Sequence, residues 1–122
     1  MGSRSEDVDA VTEVATEYFQ AWFAGDGDRM RAVLHPALAK RTRAAPGTHS
    51  LALHEDPVET LVADTAGGEG TGFVPWQEVT VLDVVRDIAT VKVHSEPFDE
   101  YLHLARFADG WLIVNALYLT AE

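Results

Sequence analysis

Residues 77–119 decide the fold. They open QEVTVLDVVRDIATVKVH (77–94), continue through YLHLARF (101–107) and close with WLIVNALYL (111–119). Val79, Val81, Val84 and Val85 make one β-rich run, Ala89, Val91 and Val93 the next, and the last two segments a third and a fourth. Arg86-Asp87 and Ala108-Asp109-Gly110 are the turn-forming punctuation between runs, so consecutive strands are expected to pair as antiparallel hairpins.

Upstream the period changes. Between Ser5 and Ala24, Val8, Val11, Ala15, Tyr18 and Trp22 recur at three- and four-residue steps, which predicts a long amphipathic helix capped by Ser5 and stopped at Gly25. Asp26 opens a second, shorter helix through Met30, Val33 and Leu34, which His35-Pro36 ends. Asp56-Pro57-Val58-Glu59 reads as a capping box for a third helix that finishes near Ala66. Between them, residues 37–54 are ambiguous: a basic cluster Lys40-Arg41-Thr42-Arg43, a turn at Ala44-Ala45-Pro46-Gly47, and a short strand within Ser50–His54. Helices first and a curled antiparallel meander after is an α+β layout. The expected organisation is a leader over residues 1–5 and one domain over 6–122.

Composition narrows the partners. The 122 residues carry 20 acidic and 9 basic side chains, a net charge of −11 with histidines neutral. Nucleic acid and anionic membrane surfaces are therefore poor partners, because both need a basic face. With no cysteine, disulfide scaffolds and thiolate metal sites are excluded. No apolar run reaches the roughly 18 residues of a membrane span, and the first residues lack the apolar core of a secretion signal, so a cytoplasmic protein is expected. Only Lys40 and Lys92 are lysines, a bias that suggests a high-GC bacterial source.

Three segments carry a family resemblance: Tyr18-Phe19 through Gly25-Asp26 to His35-Pro36; Ala89-Thr90-Val91-Lys92-Val93; and Tyr101-Leu102-His103-Leu104 with Gly110-Trp111-Leu112-Ile113-Val114-Asn115. They resemble the putative lumazine-binding proteins of the nuclear transport factor 2-like superfamily, which also holds ketosteroid isomerases and polyketide cyclases. The resemblance implies a cystatin-like cone, a curved antiparallel sheet wrapped around a long N-terminal helix and two shorter ones. It also implies a pocket between sheet and first helix, and Tyr18 falls where the isomerases carry their oxyanion-hole tyrosine. Set against the isomerases by the Arg106-Phe107 and Gly110 landmarks, Asp99, Tyr101, His103 and Ala105 face inward, with Ile113, Asn115, Leu117 and Leu119 on the last strand. The isomerase base falls on Thr42, which cannot abstract a proton at neutral pH, leaving His103 or Asp99 for that role.

The catalytic candidates are thus His103 as acid/base, Tyr18 as hydrogen-bond donor and Asp99 as an orienting or proton-exchanging carboxyl. The alternative for His103 is a structural histidine hydrogen-bonded to Tyr18 or Asn115, and for Tyr18 a core aromatic. Asn115 interrupts an apolar run and needs a partner, either ligand or backbone. Trp22, Trp76, Phe98 and Tyr101 are expected as apolar walls, with Lys40 at the rim. The glycine run 67–72 lacks the Lys-Ser/Thr end of a phosphate loop and reads as a mobile surface loop able to serve as a lid. His49, His54, His94 and His103 lack metal-ligand spacing, so neither a metal nor a cofactor is expected. Two functions stay open: a proton-transfer isomerase, cyclase or dehydratase acting on a small apolar or aromatic molecule, or a non-catalytic ligand-binding or scaffold protein. Leu102 and Leu104 on the outer sheet face are expected to be covered by a second copy, giving a homodimer.

Overall fold

The computed structural model describes residues 4–44 and 50–121. The turn expected around Pro46-Gly47, and His49, lie outside the described residues. The elements run α1 (Arg4–Ala24), α2 (Gly27–Val33), β1 (Leu34–Arg43), β2 (Leu53–Glu55), α3 (Val58–Ala66), β3 (Gln77–Val85), β4 (Ile88–Ser95), β5 (Phe98–Phe107) and β6 (Gly110–Thr120).

Helix α1 forms as its periodicity requires, burying Val11, Ala15, Tyr18, Phe19, Ala21, Trp22 and Phe23 against the sheet. Each large apolar side chain so buried is worth roughly 1.5–3 kcal/mol. Arg4 and Ser5 already belong to the helix, so Ser5 does not cap it. Gly25 takes φ +68, the left-handed turn that ends α1. Asp26 then caps α2, its carboxylate accepting the Arg29 N–H at 3.1 Å. Bidentate Arg29 to Glu17 and Arg31 to Glu59 pairs tie α2 to α1 and α3.

Leu34 does not close α2 but opens β1, which absorbs the ambiguous stretch. The sheet order is β2-β1-β6-β5-β4-β3, antiparallel throughout except for the parallel β1–β6 pair. The basic cluster is therefore no sheet edge, since β1 is paired on both sides. His35 accepts the Ala37 N–H on Nδ1 and packs on Phe107, holding the start of β1. Arg86, at φ 48, makes the tight β3–β4 turn. Among the described residues no helix is long and apolar enough to cross a membrane.

Face assignment is where the structure departs from the resemblance-based reading. On β5 the buried residues are Glu100, Leu102 and Leu104, while Tyr101 and His103 are exposed. The inward phase of this strand is even-numbered, and it pairs Val91 with Leu102 and Val93 with Glu100, buried residue against buried residue. On β6, Ile113 is inward as expected, but the register shifts between His103 and Leu104, leaving Val114 extra. This bulge reverses the alternation: Ala116 and Tyr118 turn inward, and Asn115, Leu117 and Leu119 turn out. Leu102 and Leu104 are core residues, not the outer patch.

Candidate functional site

A cavity of about 250 Å³ lies between α1, α3 and the open end of the sheet. Tyr18, Phe19 and Trp22 reach it from α1, Phe98 and Glu100 from β5, Lys40 from β1, and Tyr118 from β6. His54 and Asp56 line its mouth together with Asp64 and Glu69. Four carboxylates against one lysine give this cavity a net acidic lining.

At its centre stands a hydrogen-bonded chain. Lys40 Nζ donates to the Tyr18 hydroxyl at 2.6 Å, and that hydroxyl donates to Glu100 Oε2 at 2.8 Å. Lys40 and Glu100 are themselves 3.4 Å apart, with side chains 7% and 0% exposed. The ammonium also sits 4.8 Å over the Tyr118 ring and 5.2 Å over that of Tyr18, so aromatic faces replace the water it has lost. Burial, then the Glu100 charge and hydrogen bond, push the Tyr18 phenol well above its ordinary value and keep it a neutral bridge. Its proton is committed to Glu100, so Tyr18 does not present the free donor the isomerase resemblance implies. The other Glu100 oxygen, Oε1, and Trp22 Nε1 are buried polar atoms without a protein partner.

A second chain meets the same cavity. The Tyr118 hydroxyl donates to Asp56 Oδ2 at 2.9 Å, and His54 Nε2 lies 2.8 Å from Asp56 Oδ1. Burial first, then the Asp56 hydrogen bond and charge, raise the Tyr118 phenol as well. Asp56 is thus spent here and not on helix capping; α3 begins at Val58, with Pro57 at the N-cap position and no side-chain cap. An aspartate on one imidazole nitrogen fixes the tautomer and leaves the other free to take a proton.

Of the residues expected at the site, Tyr18, Trp22, Phe98 and Lys40 come together, and Lys40 is at the centre rather than the rim. His103 does not: it lies on the outer face, its Nδ1 facing Asn115 Nδ2 at 3.2 Å, so Asn115 leaves the pocket with it. Asp99 also faces outward, paired with His94 at 2.5 Å. Tyr101 is on that outer face, and Trp76 stacks edge-on against His94. The positions of His103, Asn115, Asp99 and Tyr101 follow from the inverted phase of β5 and the β6 bulge; Trp76 lies outside the strands. The glycine run is a packed turn: a Cβ on Gly70 would stand 2.3 Å from the Trp22 carbonyl, and only the neighbouring Glu69 reaches the cavity. Among the described residues no cluster of three or more metal-ligating side chains is present.

Glu100, His54, Asp56 and Tyr118 are the site residues that sequence reasoning missed. Glu100 was legible from the apolar phase it shares with Leu102 and Leu104. His54 and Asp56 approach Tyr118 only through the β1–β2 pairing across the undescribed segment, which no local pattern announces.

Comparison with known proteins places this arrangement in a class. The family described as putative lumazine-binding matches residues 6–119, and the chain belongs to that family. Its fold is that of the nuclear transport factor 2-like proteins. Such a protein of unknown function from Silicibacter pomeroyi superposes with a TM-score of 0.82 at 19% identity, over 98% of this chain and 100% of its own. A ketosteroid isomerase-like protein from Erwinia carotovora atroseptica gives a TM-score of 0.70 at 15% identity, covering 96% of this chain and 98% of its own. A putative dehydratase from Streptomyces avermitilis gives 0.65 at 14% identity, covering 98% and 99%. No curated protein matches the chain.

Proposed function

We propose that this protein is a cofactor-independent enzyme that moves protons on a small, flat, neutral carbonyl compound, in the manner of an isomerase or dehydratase. One observation carries the reading: a lysine wired through a buried tyrosine to a buried carboxylate opens on the same cavity as an aspartate-oriented histidine. Lys40 is the acid side. Its ammonium meets the ligand's carbonyl oxygen and offsets the charge that develops there, with Glu100 and Tyr18 holding it in place. His54, oriented by Asp56, is the base side and takes the proton from the carbon next to the carbonyl. Phe19, Trp22, Phe98 and Tyr118 are the walls that fix the ring plane. The isomerase-like and dehydratase-like structural neighbours support a reaction of this type.

The alternative, a binding protein without turnover, uses the same walls. Acetophenone separates the two, because its methyl protons exchange in deuterated water only through an enol. The enzyme reading expects wild-type protein to speed that exchange, and Lys40→Met or His54→Gln to lower the acceleration by about 100-fold or more. Saturable binding without exchange favours the binding protein, and exchange unaffected by both substitutions overturns the assignment.

We further propose that the chain pairs with a second copy through the outer sheet face. Ile88, Tyr101, Phe107, Leu117 and Leu119 are each more than 40% exposed there, and large apolar side chains left open together on one face favour a covering partner.

A further inference from the structure

Lys40 has a capacity that a mere positive charge would not need. Its nitrogen, the Tyr18 oxygen and Glu100 Oε2 form a continuous path of short hydrogen bonds, 2.6 Å and 2.8 Å, in which every donor already points at the next acceptor. Glu100 has no exposed surface and Tyr18 is 2% exposed, so water does not compete at the carboxylate end or at the middle of this path. In such surroundings an ion pair loses much of its advantage over the neutral pair, because desolvation penalises both charges. Two concerted proton shifts along the path, nitrogen to phenol oxygen and phenol to carboxylate, turn ammonium and carboxylate into free amine and carboxylic acid with no change in the net charge of the three groups. Of the three groups, only Lys40 retains measurable exposure toward the cavity beyond Tyr18's trace.

We propose that Lys40 is a covalent nucleophile that captures an aldehyde or ketone in the cavity as an imine. The free amine adds to the carbonyl carbon, forming the C–N bond while the carbonyl π bond opens onto oxygen. The Glu100 acid returns its proton through Tyr18 to that oxygen, making a hydroxyl; the adduct's nitrogen then gives up one of its two protons, which passes through the same relay to the hydroxyl, and the C–O bond breaks as water leaves. Ammonium, carboxylate and carbonyl thus become protonated imine, carboxylate and water, in balance and with no other reactant. The other Glu100 oxygen, Oε1, is buried beside the relay without a partner. This inference rests on the cavity assignment above and names the ligand class: compounds with an unhindered aldehyde or ketone carbonyl attached to a flat ring.

The chain offers its own control, since Lys92, the other lysine, is exposed on the outer side of β4. Benzaldehyde is the probe, because it has no α-hydrogen and reports imine formation without enolisation. Full-length protein is incubated with benzaldehyde and borohydride and mapped by peptide mass. The expected result is a reduced benzyl adduct on Lys40 at least 10-fold faster than on Lys92, with Tyr18→Phe lowering the Lys40 rate to that of Lys92 while circular dichroism stays unchanged. Lys40 reacting no faster than Lys92 overturns the proposal, as does Tyr18→Phe reacting at the wild-type rate. Failure here with acetophenone exchange intact removes the covalent step and leaves the proton-transfer reading standing. A Lys40 adduct in a protein that does not exchange acetophenone does the reverse.

Discussion

Glu100 and Lys40 illustrate how one buried pair constrains both stability and chemistry. Removing one partner strands the other's charge, at a cost of roughly 3–5 kcal/mol, whereas replacing both with apolar groups is far less harmful. We therefore expect Glu100→Leu to lower unfolding free energy by about 3–5 kcal/mol in urea titration, and Lys40→Met with Glu100→Leu to recover most of that loss. Tyr18 and Tyr118 give the pair a pH signature. Both phenols are raised in the folded protein, so unfolded chains ionise first. Their contribution is complete below the ordinary tyrosine value of about 10 and is lost as pH rises beyond it. Melting temperature should fall steeply above that pH, and Tyr18→Phe with Tyr118→Phe should flatten the fall. At this scale, the sequence pointed to Tyr18, Trp22, Phe98 and Lys40 because each sits in a pattern local enough to read. The isomerase landmarks at Arg106-Phe107 and Gly110 set His103 inward, although Leu102 and Leu104 had the stronger physical claim on the interior.

Strand phase is the element-scale lesson. The sequence revealed the helical stripe of α1 and the four β runs, because apolar residues recur locally through each of them. It did not reveal the bulge at Val114, since Ile113-Val114-Asn115 reads as unbroken alternation until β5 is laid beside it. Nor did it reveal that β1 runs parallel to β6, a pairing made between residues about 75 apart in sequence, where no local rule applies. The turn after α3 is set by close approach: Gly70 rests on the Trp22 backbone, leaving no room for a methyl group. Gly70→Ala should therefore destabilise by about 1–3 kcal/mol and alter Trp22 fluorescence, whereas Gly72→Ala, with open space around it, should do neither. An unchanged Gly70→Ala protein would mean the turn is not packed on α1.

At the scale of the molecule, the two sheet faces divide the work. The inner face holds the cavity and its two proton chains; the outer face holds His103, Asn115 and a patch of exposed Ile88, Tyr101, Leu117 and Leu119. Leu117→Asp should convert a dimer to monomer in sedimentation velocity while leaving acetophenone exchange intact, because Leu117 points away from the cavity. Helices before strands made the α+β cone readable from the chain, but which face lines the cavity needed the strands in register. That division is tested most directly by measuring acetophenone proton exchange for His54→Gln and His103→Gln side by side. Loss of about 100-fold or more for His54→Gln with a wild-type rate for His103→Gln is the predicted result. Loss confined to His103→Gln would contradict it and put the reaction on the outer face.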